Sequence, residues 1–174
     1  LIDSIKPNRI FLVTGKKSYS KSGSKKLIDE VTKNYKTYRF SNFSNDPKLE
    51  DVKKGIQLFN KVKPDLIIAI GGGSVIDMGK QINILSKHNN IKSVILQKKH
   101  LKKNNVSLIA IPTTSGTGSE STSFAVIFIN KKKYSVENKY MLPNYAFIIP
   151  KLGDYMPNKL RASCAFDAFS QAIE

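Results

Sequence analysis

Short, wholly apolar runs alternate along this chain with stretches in which apolar residues recur every third or fourth position. Arg9–Gly15 (Arg-Ile-Phe-Leu-Val-Thr-Gly) reads as a buried strand ending in a turn, and residues 22–34 as a helix with Leu27, Ile28 and Val31 on one face. Thr37–Phe40 is a second short strand, followed by a polar stretch from Ser41 to Pro47. Residues 48–62 form a helix on Leu49, Val52, Ile56, Phe59 and Val62, with Leu58 off that face. Leu66–Ile70 is the third strand, and the helix after Gly73 carries Val75, Ile76, Met78, Ile82 and Leu85. Leu108–Ile111 is the fourth strand. Ser123–Ile129 is strand-like and closes in a turn at Lys131–Lys133; Tyr145–Ile149 is a further strand. Pro157–Glu174 reads as a helix, with the proline at its first turn. The Lys/Asn-rich segment 86–107 reads as a solvated surface excursion.

Strands alternating with helices define an α/β protein: a mostly parallel, Rossmann-like sheet with helices on both faces. Ligands of such sheets bind beyond the C-terminal strand ends. Two glycine-rich turns fall at such ends. One is Ile70-Gly71-Gly72-Gly73-Ser74-Val75-Ile76-Asp77; the other is Pro112-Thr113-Thr114-Ser115-Gly116-Thr117-Gly118-Ser119-Glu120. Bare backbone N–H groups and small hydroxyls suit a bound phosphate. Consecutive glycines cost conformational entropy, which disfavours a purely connecting role. No Walker A loop fits, because Gly79-Lys80 is followed by Gln81, and Gly116-Thr117-Gly118 lacks the third glycine of the dinucleotide fingerprint. General rules therefore reach a phosphate-binding turn and stop.

Composition narrows the alternatives. The 174 residues, 40% apolar and 24% charged, are those of an ordinary globular protein. Leu1–Lys6 shows no basic region followed by an apolar stretch, and a single cysteine, Cys164, excludes an intrachain disulfide framework; both favour the cytoplasm. No apolar run is long enough for a membrane span. The net charge of +16 raises nucleic acid as a partner. The lysines, however, are scattered in pairs such as Lys16-Lys17, Lys53-Lys54 and Lys98-Lys99, without interleaved aromatics, and only Arg9, Arg39 and Arg161 are arginines. An anionic small ligand fits this field better. Ser115 and Ser119 have no matching His–acid partners for a nucleophile, and Cys164 reads as a small apolar core residue.

The full strings are more specific than the turns. Gly-Gly-Gly-Ser-x-x-Asp (71–77), then Pro-Thr-Thr-x-Gly-Thr-Gly-Ser-Glu (112–120), then Ala165-Phe166-Asp167-Ala168-Phe169-Ser170-Gln171-Ala172-Ile173-Glu174, resemble the iron-containing (group III) alcohol dehydrogenase family in order and spacing. The resemblance covers the chain, but only the N-terminal half of a family member. It implies the N-terminal domain of a dehydroquinate synthase-like fold, a cofactor domain at 1–156, and at 157–174 the start of a helical metal and substrate domain whose remainder is absent. The start at Leu1 and the end within a helical pattern agree with a fragment of a longer protein.

The resemblance also implies an activity: hydride transfer between NAD or NADP and an alcohol/aldehyde pair, with a divalent metal, iron or zinc, acting as Lewis acid. Gly71, Gly72, Gly73 and Ser74 would hold the diphosphate, with Asp77 near the cofactor. Thr113, Thr114 and Thr117 would meet its phosphate, ribose or nicotinamide side. Lys133 matches a lysine reaching the nicotinamide ribose, against the alternative of a solvated hairpin lysine. Ser41 would lie at the adenosine ribose. A carboxylate there repels a 2′-phosphate; Ser41, with Arg39 nearby, therefore tilts the expectation toward NADP. Asp167 matches the first metal ligand. The second, normally histidine, is here Gln171, a poorer ligand. His88 and His100 match no ligand motif and read as surface residues.

Gln171 resembles the phosphonoacetaldehyde reductases within the family, and a doubly charged substrate suits a basic protein. A rival reading, a non-catalytic nucleotide-binding module, gains from the same glutamine. A homodimer is compatible with either.

Overall fold

The computed structural model describes residues 1–97 and 100–174; Lys98-Lys99, counted above among the basic pairs, lies outside the described residues. A single helical turn, α1 (Ile2–Ile5), leads into β1 (Arg9–Thr14). The chain returns through α2 (Ser18–Lys21) and α3 (Ser24–Thr32) to β2 (Lys36–Phe40), then through α4 (Leu49–Val62) to β3 (Leu66–Gly71). Next come α5 (Gly73–Leu85), α6 (Ile91–Leu96) and β4 (Ser107–Pro112). A hairpin of β5 (Phe124–Ile129) and β6 (Lys132–Glu137) follows, then the short β7 (Tyr145–Ala146) and the C-terminal α7 (Asn158–Ile173).

Five strands form one parallel sheet in the order β2-β1-β3-β4-β7, and β5–β6 stands apart as an antiparallel pair. The wholly apolar runs are explained by burial on both faces; all of β3 is buried. Ile10, Leu12, Leu66, Ile68, Ile70, Ile109 and Ile111 pack with Tyr19, Ile28 and Leu152 on one face. Phe11, Val13, Ile67, Ala69 and Leu108 pack on the other with α4, α5, α6 and the hairpin. There Phe11 stacks on Phe40 at 6.2 Å and meets Phe59 edge-on at 5.5 Å; burying such a ring contributes about 1.5–3 kcal/mol. Register at the N-terminal ends is pinned by Asp65, whose carboxylate accepts from the backbone N–H groups of Asn8 and Arg9 at 2.8 and 3.0 Å.

The structure corrects the sequence reading in five places. The helix expected at 22–34 forms as α3 but is shorter, Ser24–Thr32, because left-handed Gly23 (φ +78°) sets it off from the separate turn α2. The expected solvated loop at 86–107 contains α6, which buries Ile91, Val94 and Ile95, with Leu101 and Asn104 buried further on. That i, i+3, i+4 triplet is a short amphipathic helix hidden among lysines and asparagines. The turn expected at Lys131–Lys133 is made by Asn130 and Lys131, both left-handed (φ 49° and 64°), as a tight hairpin requires; Lys132 and Lys133 already lie in β6. The strand at Tyr145–Ile149 stops after Ala146, although the Phe147 N–H still donates to the Ala110 carbonyl at 2.9 Å. His88 is half-buried, its Nε2 accepting from the Lys102 N–H at 3.2 Å, so only His100 is fully a surface histidine.

Candidate functional site

β3 and β4 end side by side, with Gly71 opposite Pro112, so the two glycine turns leave the same edge of the sheet together. They touch at once: the Thr113 N–H donates to the Gly71 carbonyl at 2.9 Å. A Cβ on Gly72 would lie 3.2 Å from the Thr114 hydroxyl oxygen, and one on Gly73 would lie 3.2 Å from three atoms of Thr117. The glycines thus admit the two threonines, so that the two turns and the N-terminus of α5 meet in one cradle of backbone amides and small hydroxyls. Gly72 precedes α5 without any side-chain cap, which leaves the first N–H groups of the helix for an outside acceptor. The buried Thr114 hydroxyl has no hydrogen-bond partner among the described residues. An unpaired hydroxyl beside uncapped amides is a donor set that an anion can accept from.

Of the other residues singled out from sequence, Ser41 follows β2, Asp77 lies within α5 and Lys133 within β6. Ser41 follows Phe40, which pairs with Val13, so it sits on the same sheet edge one strand beyond β1. Arg39 is committed there. Its Nε donates to the Thr14 hydroxyl at 2.8 Å, its Nη2 to the Gly15 carbonyl at 3.0 Å, and its guanidinium lies 4.6 Å from the Tyr19 ring centre. Asp77 is buried, and its carboxylate accepts from the Ser119 hydroxyl and from the Val126 N–H at 2.9 Å. Burial pushes this carboxyl above the ordinary value, against those two bonds and the charges of Lys80 and Lys133. Lys133 is exposed on β6, within electrostatic reach of Asp77.

Sequence reasoning missed Lys80 and Gln81. Lys80 is fully buried at 0% exposure. Its Nζ donates to the Thr122 carbonyl at 2.8 Å, the Thr122 hydroxyl at 3.2 Å and the Phe124 carbonyl at 2.9 Å. Gln81 Nε2 donates to the Val126 carbonyl at 2.7 Å. The available signal was the polar i, i+3, i+4 set Asp77, Lys80 and Gln81 on a helix whose remaining residues are mostly apolar. Burial lowers the Lys80 ammonium from 10.5 to about 8, opposed by Asp77 and Glu120. The unfolded chain therefore binds more protons than the folded one between those values, so this group's contribution to stability rises with pH. The stability of wild type relative to Lys80→Met is expected to improve by on the order of 1–3 kcal/mol between pH 7.5 and pH 10. Urea unfolding of both proteins measures this, and a constant difference would contradict it.

Asp167 and Gln171 lie one turn apart on α7, both exposed, so they share a helix face but no cradle. Among the described residues no group of three or more His, Cys, Asp or Glu could hold a metal ion. One carboxylate and one amide do not make a metal site by themselves. The contact between α7 and the turns runs through Cys164, the buried residue of that helix: a Cβ on Gly116 would lie 2.3 Å from the Cys164 carbonyl oxygen. Among the described residues no helix is long and apolar enough to cross a membrane.

Fold and turns together define an α/β protein with a parallel sheet whose two glycine turns meet at adjacent strand ends. The family model of iron-containing alcohol dehydrogenases matches residues 1–150, and the chain belongs to that family. It is 32% identical over 156 residues to long-chain-alcohol dehydrogenase 1 of Geobacillus thermodenitrificans, covering 85% of this chain and 40% of that protein. It is 38% identical over 136 residues to the NADPH-dependent butanol dehydrogenase of Clostridium saccharobutylicum, covering 74% of this chain and 34% of that protein. Among solved structures, the sulfoacetaldehyde reductase of Bifidobacterium kashiwanohense in complex with NAD+ superposes with a TM-score of 0.91 at 28% identity, over 99% of this chain and 46% of that one. The chain thus spans less than half the length of these relatives.

Proposed function

We propose that this chain is the cofactor-binding part of an NAD(P)-dependent oxidoreductase that interconverts a small alcohol and its aldehyde. The observation that carries the reading is the pair of glycine turns in contact, with uncapped helix amides and an unpartnered Thr114 hydroxyl between them. In this reading Gly71, Gly72, Gly73 and Ser74 receive the diphosphate on the N-terminus of α5. Thr113, Thr114 and Thr117 line the side toward the nicotinamide, and Lys133 reaches its ribose. Ser41 borders the adenosine ribose. The nucleotide, when bound, supplies or accepts hydride; the protein's part is to orient it. Asp167 is offered as a metal ligand and Gln171 as its weak neighbour, and no step is drawn through that metal. Residues 1–156 form the nucleotide domain in this scheme and residues 157–174 begin the second.

Ser41 brings no carboxylate to repel a 2′-phosphate, and Arg39, though its guanidinium is engaged, adds positive charge beside it. NADPH is therefore expected to bind at least as tightly as NADH, each with Kd within about 1 μM–1 mM. Titration of the complete chain by nucleotide fluorescence measures both. A strong NADH preference would remove the Ser41 argument, and failure to bind either nucleotide would remove the function. Turnover assays with butanal and phosphonoacetaldehyde, with Fe²⁺ or Zn²⁺ added, then separate an enzyme from a non-catalytic nucleotide-binding module: binding without turnover of either favours the module.

A further inference from the structure

Helix α5 does more than present its N-terminus. Three side chains on one side of it, Asp77, Lys80 and Gln81 at positions i, i+3 and i+4, all reach the segment that leaves the second glycine turn. Asp77 takes the Ser119 hydroxyl and the Val126 N–H. Lys80 gives all three ammonium protons to Thr122 and Phe124. Gln81 reaches the Val126 carbonyl. Four of the partners are backbone groups, so the contacts fix the path of the chain from Ser119 to Val126. The first glycine turn is the N-terminus of this same helix. One rigid element therefore carries one wall of the cradle and grips the other wall from below.

We propose that Lys80, with Asp77 and Gln81 beside it, is a positioning residue that sets the distance between the two glycine turns and thereby the affinity for the nicotinamide half of the cofactor. A purely structural lysine is the competing explanation, and the chemistry argues against it. A fully buried ammonium is costly to place, whereas an apolar side chain would fill the same space in this core. The ammonium's three bonds to Thr122 and Phe124 instead specify one geometry for that segment. Gly72 and Gly73 make that geometry consequential, since each already approaches a threonine of the other turn to within 3.2 Å of where a Cβ would be.

The proposal rests on the nucleotide reading, and the test separates the two. In that reading NAD(P)H spans both turns, whereas ADP keeps the adenosine and the diphosphate and lacks the nicotinamide half. In the complete chain, Lys80→Met is expected to weaken NAD(P)H binding about tenfold or more while changing ADP binding less than about twofold. Amide hydrogen exchange is expected to rise at 115–126 and to stay unchanged in β1 and β3. Ser119→Ala, which removes only a hydroxyl, is the second variant should Lys80→Met fail to fold; it is expected to show the same split, less strongly. Equal weakening of NAD(P)H and ADP, or no weakening of either, overturns the positioning role. If the wild-type chain binds neither nucleotide, the nucleotide reading itself is overturned.

Discussion

Replacing Gly116 by alanine is expected to lower the melting temperature by on the order of 10 °C and to loosen α7 from the second glycine turn. Two independent costs act at this position. Its φ of +129° is a region that side chains rarely adopt, which costs about 1–3 kcal/mol. The new methyl carbon would also lie 2.3 Å from the Cys164 carbonyl oxygen, and overpacking of that kind costs about 1–3 kcal/mol more. Backbone cannot rotate aside as a side-chain tip can, so turn and helix must separate. At about 2–4 °C per kcal/mol for a chain of this size, the sum gives the shift stated. A second readout is chemical. Cys164 is buried, and burial pushes its thiol pKa up, so it is expected to react slowly with thiol reagents in the wild type and fast in the variant. A variant that melts as wild type does and keeps a slow thiol would show that the contact does not hold the helix.

That contact illustrates what could be read from the sequence and what could not. The apolar runs at Arg9–Gly15, Leu66–Ile70 and Leu108–Ile111 identify central strands because a parallel sheet covered on both faces leaves no polar position in them. The glycine strings identify the turns for a similar local reason. Burial produced by distant segments is not local. Lys80 gives no local sign of burial until the chain from Thr122 closes over it, and nothing next to Asp77 in the sequence announces the bonds its carboxylate takes from Ser119 and Val126. In α6 the apolar triplet is too short to stand out among its polar neighbours. β6 contributes a single buried residue, Val136, which leaves almost no alternation to detect. Asp167 and Gln171 were legible as a pair on one helix face, but the groups that would complete a metal site with them are not among the described residues.

Gly73→Val is expected to weaken NAD(P)H binding at least about 100-fold, roughly 2.7 kcal/mol, while leaving the fold in place. Gly73 opens α5 with ordinary helical backbone, so a side chain there adds little strain. Space is what is lost. The Cβ alone would crowd three atoms of Thr117 at 3.2 Å, and the two further methyl groups of valine must enter the cradle or push the second turn away. Either displacement removes the geometry in which a diphosphate could meet the helix amides at hydrogen-bond distance. Gly153→Ala provides the control, because nothing lies within 4 Å of a Cβ there and its φ is not left-handed. Both variants should stay folded, Gly73→Val melting a few degrees lower, and only Gly73→Val should lose nucleotide affinity. If Gly73→Val binds NAD(P)H as wild type does, the cofactor does not lie between the turns, and the anion site built by Gly72, Gly73 and the uncapped helix serves another ligand.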